Sequence, residues 1–426
     1  MRRPNLIALS DSANFYVSAE RIFDPTLTGV PVIVLSNNDG CAIARSDEAK
    51  ALGIKMGAPL HLIRDKVERH GIRVFSSNYT LYGDISRRVV EVYRDFSPAV
   101  EIYSIDECFL DFSGIRGLEA HARSLIAAVQ QRIGIPVRVG IGPTKTLAKV
   151  ANELAKRNPI FDKVMDISDQ SIAEHMLSKM AVKDVWGIGR RTQAKLAQIG
   201  IHTAADLRDM PSRLARQIGT VTLERTVLEL QGEACIDFEE VEPQRQGMAV
   251  TRSAGTPMRD LETLCEALAA HATRVGEKLR YHGLVAGQLT VMFHTNPHRQ
   301  DRPQFSTSRT AELAPMTNST LELVAMANRC AKAAWPRDHA DKGYAFTKAG
   351  IIVGDLLRAE DQPRTLFDAP NPASSALMRA LDSVNARFGK KTLVLAAEGI
   401  RNSGTAQASH RSPKWTTRIT DLPIVR

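Results

Sequence analysis

The sequence predicts a multi-domain protein of the α/β and α+β classes. A chain of 426 residues is long enough for about two to four domains. Its N-terminal part alternates short apolar strands with amphipathic helices, and residues 181–201 place a Gly-Ile-Gly turn between two helical segments. The acidic, proline-containing stretch 237–243 then precedes a second series of strands and helices, which predicts a separate α+β domain.

The elements can be predicted in order from the spacing of apolar residues. The run Leu6–Ser10 predicts a strand that ends at Asp11, and Asn37–Gly40 predicts a tight hairpin in which the Asp-Gly pair suits positive φ. Helical spacing predicts helices over 47–52, 76–94, 118–133, 261–279 and 321–334. Further strands are predicted within 100–112, as a hairpin, and over 137–142, 248–254, 289–293 and 349–353.

Composition favours a polyanionic partner. Lys and Arg total 56 against 47 acidic residues, a formal net charge of +9. The five cysteines are widely spaced and form no Cys-x-x-Cys pair, so neither a disulfide framework nor a zinc site is indicated. No apolar run is long enough for a signal peptide or a membrane span, and we therefore expect a cytoplasmic protein with no membrane partner.

Three carboxylates are the candidates for chemistry. Asp106 and Glu107 lie between two strand-forming arms, and an isolated pair of this kind could simply be an exposed hairpin tip. Adjacent strand residues point to opposite faces, so the two can serve one site only where the backbone bends. Asp11, at the end of the first strand, supplies a third acid. Three such carboxylates can hold two Mg²⁺ ions for phosphoryl transfer, which predicts a nucleotidyltransferase.

Several ordered motifs resemble one known family over essentially the whole chain. The palm of Y-family translesion DNA polymerases is matched by Asp11-x-x-x-Phe15-Tyr16, Ser104-Ile105-Asp106-Glu107 and Lys145-Thr146-Leu147-Ala148-Lys149-x-x-Asn152. Three further motifs resemble a narrower group, the UmuC-like catalytic subunits of bacterial DNA polymerase V. They are Ser36-Asn37-Asn38-Asp39-Gly40-Cys41, Phe75-Ser76-Ser77-Asn78-Tyr79 and Ser412-Pro413-x-x-Thr416-Thr417-Arg418.

The resemblance implies a right-hand polymerase with an added α+β domain. The implied divisions are a palm over 1–25 and 75–167, small fingers over 26–74, a helical thumb with a helix-hairpin-helix over 168–235, a linker over 236–246, a little finger over 247–356 and a C-terminal partner-binding region over 357–426.

The resemblance also implies the roles of the palm and finger residues. Asp11, Asp106 and Glu107 would be the catalytic acids and hold two Mg²⁺ ions, together with the backbone carbonyl of Ser12. Tyr16 matches the family's steric gate, a ring that excludes a 2′-hydroxyl by shape. The predicted nucleotide-binding residues are Phe15, Tyr16, Arg45, Lys50 and Lys156. For the three basic residues, solvated surface charge is the alternative.

Predicted DNA contacts fall mainly in the thumb. In a helix-hairpin-helix, glycines let backbone N–H groups approach a DNA phosphate at a helix N-terminus. Gly187, Gly189, Arg190 and Arg191 match this pattern, and Lys145 is a further predicted DNA contact.

The C-terminal region carries the predicted partner sites. Gln362, Leu366 and Phe367 resemble a sliding-clamp peptide, although Pro363 occupies the usual glutamine position. The basic end, 401–426, resembles the region that docks a processed UmuD-type accessory protein and a RecA recombinase filament. A flexible solvated tail is the alternative.

The resemblance implies a DNA-directed DNA polymerase for error-prone translesion synthesis in the SOS response to DNA damage. It would transfer a deoxynucleotide from a dNTP to the 3′-hydroxyl of primer–template DNA. Two alternatives stay open from the residues alone, namely a nucleotide cyclase built on a similar palm and a catalytically silent DNA-binding scaffold of a damage-response complex.

Overall fold

The computed structural model describes residues 6–239, 244–362, 372–399 and 408–422. The chain divides into two compact units. The first comprises Met1–Glu242 and Ala408–Arg426, and the second comprises Pro243–Gln407. Residues 408–422 therefore belong to the first unit, although they follow the second unit in the chain.

The first unit is built on two sheets. Its strands are β1 (Ile7–Ser12), β2 (Val32–Leu35), β3 (Ala42–Arg45), β4 (Arg73–Ser76), β5 (Val100–Ile102), β6 (Glu107–Asp111), β7 (Val137–Gly142) and β8 (Val164–Asp166). The larger sheet has the order β5-β6-β1-β7-β8, and the smaller one has the order β3-β2-β4. Strand β1 lies between β6 and β7 and is antiparallel to both, which places the end of β1 beside the start of β6.

Eleven α-helices belong to the described part of the first unit. They are α1 (Phe15–Phe23), α2 (Asp47–Ala51), α3 (Leu60–Arg69), α4 (Tyr79–Arg94), α5 (Leu118–Arg132), α6 (Lys145–Arg157), α7 (Gln170–Lys179), α8 (Arg190–Gln198), α9 (Ala204–Arg208), α10 (Ser212–Ile218) and α11 (Val221–Leu230). Helices α1, α4 and α5 share one hydrophobic core with the larger sheet, in which Tyr82 and Phe112 are fully buried.

Two glycines let α6 lie directly on β7. A Cβ atom at Gly140 would come within 2.0 Å of the Asn152 nitrogen, and one at Gly142 within 2.9 Å of the Ala148 nitrogen. Real Cβ atoms do not approach a backbone so closely, so a larger residue at Gly140 would push the helix away from the sheet. The close packing fixes α6, and with it Lys149 and Lys156, beside the central strands.

The second unit is an antiparallel sheet with helices. Its strands are β9 (Gly247–Met258), β10 (Leu284–Thr295), β11 (Ser306–Thr317) and β12 (Phe346–Arg358), in the order β11-β10-β12-β9. Its helices are α12 (Leu261–Tyr281), α13 (Thr320–Ala334), α14 (His339–Lys342) and α15 (Pro372–Phe388). Helices α12 and α13 bury apolar side chains in the same core as the sheet. The predicted multi-domain α/β and α+β fold is confirmed.

Three local expectations from the sequence are corrected. Positive φ in the predicted hairpin falls on Asn38 (61°) and Asp39 (51°), whereas Gly40 has a φ of −75°. The start of the predicted linker is packed, because Phe238 lies against a cluster of buried residues from β1, β6 and α6. The alternative of a flexible solvated tail, weighed for residues 401–426, is wrong for 408–422, because these residues pack within the first unit and Trp415 stacks on Phe23.

Within the described residues, no helix is both long enough and apolar enough to cross a lipid bilayer.

Candidate active site

The sheet brings the three predicted acids to one end of β1. Asp11 pairs with Glu107 in the antiparallel register of β1 and β6. The N–H of the next residue, Ser12, donates to the carbonyl of Asp106 at 2.8 Å. Residues distant in the chain thus lie side by side because a central strand ends where its neighbour begins.

Ser104 shapes the bend that the paired acids require. Its hydroxyl donates to Oδ1 of Asp106 at 2.6 Å and accepts the N–H groups of Asp106 (3.2 Å) and Glu107 (3.0 Å). These three bonds close a tight turn immediately before β6. The predicted departure from straight strand geometry is therefore held by a neighbouring side chain.

Asp11 lies where negative charge is disfavoured. Burial raises the pKa of its carboxyl to about 6. Lys156 and Arg138 lower this pKa, whereas the neighbouring Glu107 and Asp106 raise it further. A bound cation would offset both the burial and the repulsion, so the chemistry of these donors suits a metal ion, although Glu107 is not turned toward the other two acids.

Glu107 is turned toward a lysine. Its carboxylate accepts from Nζ of Lys149 at 3.0 and 3.1 Å, and that ammonium also lies 4.4 Å from the ring centre of Tyr103. Within the part of the chain that the structure describes, no three His, Cys, Asp or Glu side chains are grouped so that they could hold a metal ion. Glu107 would have to release Lys149 before it could join Asp11 and Asp106 on a cation.

A cleft opens beside Asp11 and Asp106. Its lining comprises Asp11, Ser12, Asn14, Phe15, Tyr16, Ile43, Ala44, Arg45, Lys50, Met56, Ile105, Asp106, Arg138 and Lys156. The cleft therefore contains two of the acids and all five residues predicted to bind a nucleotide. Of those five, Phe15 is almost fully buried and contributes to the core as well.

Tyr16 is held by other aromatic rings. It stacks on Tyr82 with the ring centres 4.4 Å apart and the planes 15° from parallel. Tyr79 meets Tyr16 edge-on, with a centre-to-centre distance of 6.0 Å. Because Tyr82 is fully buried in the core, the ring of Tyr16 has a rigid support on one side.

The predicted basic residues line the cleft and already have partners. Nη1 of Arg45 donates to the carbonyl of Ile54 at 2.8 Å. Nζ of Lys50 donates to Asn14 at 2.6 Å and to Asp47 at 2.8 Å, and Lys156 lies 3.7 Å from Glu153. A triphosphate would compete for the two lysines, whose partners are on the surface.

The sequence reasoning missed two residues in the cleft. Arg138 is the register partner of Asp11 on β7 and approaches its Oδ1 to 4.0 Å. A single charge inside the apolar run of β7 was the available signal. Asn14 has φ 49° and its side chain joins Asp47 and Lys50, which connects the start of α1 to α2. No pattern in the sequence indicated that contact.

Lys145 does not fit the predicted DNA contact. Its side chain is only 2% exposed, and Nζ lies 2.6 Å from Oε2 of Glu101 and 2.5 Å from the carbonyl of Asp237. The ammonium also faces the rings of Phe109 and Phe238. A charge enclosed in this way is not available to a phosphate, so we assign Lys145 to the anchoring of residues 237–239.

The predicted thumb residues lie on an exposed helix start. Gly187 adopts φ 85°, and Gly189 precedes the first residue of α8. Arg190 and Arg191 are exposed on the first turn of that helix. Of the predicted clamp residues, Gln362 donates to the carbonyl of Met316 at 2.7 Å. Leu366 and Phe367 lie outside the described residues.

Four family models match the chain. Residues 10–153 match the impB/mucB/samB family, residues 245–366 match the C-terminal domain of that family and residues 171–201 match its helix-hairpin-helix motif. Residues 375–425 match a domain of unknown function. The matches cover all of the cleft residues except Lys156, the first part of the predicted thumb and most of the second unit.

Curated relatives are similar along the whole chain. The protein UmuC of Salmonella typhimurium is 40% identical, over 99% of this chain and 100% of the relative. The protein MucB of Escherichia coli is 38% identical, over 98% of this chain and 99% of the relative. A DNA polymerase IV of Moorella thermoacetica is 30% identical, over 91% of this chain and 94% of the relative.

Solved structures share the fold at low sequence identity. A Y-family DNA polymerase chimera built on Dbh superposes with a TM-score of 0.67 at 17% identity, and covers 83% of this chain and 99% of its own. An insertion ternary complex of Dbh DNA polymerase gives 0.53 at 18% identity, with the same coverage. The predicted right-hand polymerase organisation is confirmed at the level of the fold.

Proposed function

The chain belongs to the impB/mucB/samB family of Y-family DNA polymerases and is a translesion DNA polymerase of the SOS response. On this basis we propose that it catalyses a two-metal nucleotidyl transfer at Asp11, Asp106 and Glu107. The enzyme adds a deoxynucleotide from a dNTP to a primer 3′-hydroxyl under the direction of a template. The family is metal-dependent, and the number and identity of the ions, two Mg²⁺, are part of the proposal.

One observation carries the proposal. Asp11 faces Glu107 across β1 and β6, Asp106 adjoins both, and the cleft beside them contains Tyr16 and four cationic side chains. Acids that repel one another next to a basic, ring-walled cleft suit a nucleotide triphosphate with its metal ions. An inert DNA-binding scaffold would have no need of this arrangement.

The residues of the chain have separate tasks in this mechanism. Asp11, Asp106, Glu107 and the carbonyl of Ser12 would hold the ions, which supply Lewis-acid charge to the reacting oxygens when bound. Arg45, Lys50 and Lys156 offset the charge of the triphosphate, and Lys156 also lowers the pKa of Asp11. Tyr16, supported by Tyr82, excludes a 2′-hydroxyl by shape.

Binding of primer–template DNA is assigned to the helical thumb. Gly187 and Gly189 leave the backbone N–H groups at the start of α8 open to a phosphate, and Arg190 and Arg191 add positive charge there. We retain the predicted division into palm (1–25 and 75–167), fingers (26–74), thumb (168–235), linker (236–246) and little finger (247–356) as part of the proposal.

The partner interactions are proposals as well. The C-terminal region, 357–426, is proposed to bind a processed UmuD-type protein and a RecA filament, and Gln362, Leu366 and Phe367 to bind a sliding clamp. The hydrogen bond from Gln362 to Met316 would have to open for clamp binding. The test is a pull-down of each purified partner by the full chain and by a Leu366→Ala/Phe367→Ala variant. The variant should lose binding to the sliding clamp alone.

Primer extension tests the catalytic proposal. The full chain is assayed with primed DNA, dNTPs and Mg²⁺, with and without a UmuD-type partner and a recombinase filament. Wild type should extend the primer, whereas Asp11→Asn and Asp106→Asn should lose activity by a factor on the order of 10³ or more. Asp111→Asn on the same strand as Glu107 is the matched control and should remain active. Equal activity of all four proteins would contradict the assignment.

A further inference from the structure

The segment 408–422, here called the C-terminal strap, is seated on the fingers and palm of the first unit. The N–H of Ser76 donates to the carbonyl of His410 at 3.0 Å, and the N–H of His410 donates back to the Ser76 hydroxyl at 2.9 Å. Trp415 stacks on Phe23 with ring centres 5.4 Å apart. The strap thus runs from the end of β4 to α1, which it meets at Trp415.

Asn78 ties the strap to the start of α4. This residue directly precedes the helix, yet its side chain makes no capping bond there. Its amide instead donates to the Ser412 hydroxyl at 2.9 Å and to the carbonyls of Pro413 (3.0 Å) and Ser412 (3.3 Å). The amide is therefore committed to the strap, and the first turn of α4 is positioned against it.

Glu20 joins the strap to the aromatic core. Its carboxylate is on α1 and the residue is 2% exposed. Oε1 of Glu20 accepts from the Ser412 hydroxyl at 2.9 Å and from the Tyr82 hydroxyl at 2.6 Å. A buried carboxylate is costly without such donors, so the loss of one would disturb the other.

The contact continues from Tyr82 to the cleft. The Tyr82 ring stacks on Tyr16 at 4.4 Å, and Tyr16 lines the cleft together with Asp11 and Asp106. The Tyr79 ring, on the same first turn of α4, meets both Tyr16 and Tyr82 edge-on. The support of Tyr16 therefore depends on a helix turn that Asn78 and Glu20 tie to the strap.

We propose that the C-terminal strap is a positioning element for Tyr16, which acts through Ser412, Glu20 and Tyr82 and contributes to the exclusion of ribonucleotides. The inference rests on the proposed role of Tyr16 as the steric gate. It gives a task to part of the segment that matches a domain of unknown function.

The test is the ratio of kcat/KM for a dNTP to that for the matching rNTP, measured with the full chain. Incomplete folding lowers both terms equally and leaves the ratio unchanged, so the ratio reports the geometry of the cleft. Ser412→Ala removes the strap donor to Glu20, and we expect the ratio to fall about three- to tenfold. Tyr82→Phe removes the other donor but keeps the stacked ring, and its ratio should fall as well.

Two further variants make the outcomes distinct. Ser409→Ala is the matched control, since Ser409 is an exposed strap residue whose contact with Asp39 runs through the backbone N–H. Its ratio should equal that of wild type. Tyr16→Ala should lower the ratio more than any other variant. A low ratio for Tyr16→Ala with wild-type ratios for Ser412→Ala and Tyr82→Phe would overturn the strap inference alone. An unchanged ratio for Tyr16→Ala would overturn the gate assignment and the inference with it.

Discussion

Asp11 and Glu107 are direct partners across β1 and β6, and yet the Glu107 carboxylate is bound to Lys149 at 3.0 Å. Both members of this ion pair are largely enclosed, with side-chain exposures of 12% for Lys149 and 24% for Glu107. The lysine would therefore compete with the proposed cation for the same carboxylate.

Lys149→Met should make the metal site easier to fill. Without the ammonium, Glu107 no longer has to break an ion pair, so the Mg²⁺ concentration for half-maximal primer extension should fall about threefold or more. Lys149→Arg keeps the charge and should leave this concentration close to that of wild type. A rise in the half-maximal Mg²⁺ concentration of Lys149→Met would show that the lysine assists metal binding instead.

Lys145 and Glu101 should be coupled in stability. Lys145→Met leaves the Glu101 carboxylate buried without its cation, at a cost of about 3–5 kcal/mol in the free energy of unfolding. In the double variant Lys145→Met/Glu101→Gln no charge is buried, and the loss should be smaller than in the single variant. Chemical denaturation of all variants measures the loss of unfolding free energy in the single variants and in the double variant.

The matched control for this pair is Lys183→Met. Lys183 is exposed, and its replacement should change the free energy of unfolding by less than about 0.5 kcal/mol. Additive losses for Lys145→Met and Glu101→Gln would mean that the two groups do not stabilise each other.

His271 should make the second unit less stable in mild acid. Burial lowers the pKa of His271 to about 4, and the nearby charges of Arg252 and Lys391 act in the same direction, whereas a hydrogen bond with Ala349 opposes them. The unfolded chain has the ordinary pKa of about 6.5 and so binds more protons between these values. Stability is therefore full above about pH 6.5 and is lost as the pH falls toward 4.

His271→Gln isolates this effect from the other titrating groups. Between pH 7.5 and pH 5, wild type should lose about 2 kcal/mol more of its free energy of unfolding than His271→Gln loses. Urea denaturation at the two pH values provides the measurement. A difference that is independent of pH would mean that His271 keeps its ordinary pKa in the folded protein.

Arg190 and Arg191 should contribute to DNA affinity without regard to base sequence. Arg190→Ala/Arg191→Ala removes two exposed charges at the start of α8, so affinity for primed DNA should fall, and the slope of log K against log salt should decrease by about two. Fluorescence anisotropy over a salt series measures the slope. Arg116→Ala, on the exposed loop before α5, should retain the wild-type slope. Equal slopes for the two variants would remove the thumb arginines from the DNA interface.

Local patterns predicted much of the fold. The apolar run before Asp11, the helical spacing over 76–94 and the alternation in 289–293 each became the expected element, because burial of one face decides local structure whatever the partner. The three acids could be singled out because a charged residue at the end or in the middle of an apolar strand seldom contributes to the stability of the fold. The turn at Asn38 and Asp39 escaped this reasoning, since asparagine and aspartate can adopt positive φ in place of a neighbouring glycine.

By itself, the sequence determined the elements, the family motifs and the residue types that can carry out nucleotidyl transfer. Only the tertiary structure decided which charges are available: Lys145 is enclosed by Glu101, Lys149 holds Glu107, and Arg138 faces Asp11. It also decided that the segment 408–422 returns to Glu20 and Asn78. The physical reason is that the spacing of apolar residues along the sequence determines local helices and strands. The partner of a charge or a hydroxyl instead depends on chain segments that meet only after folding.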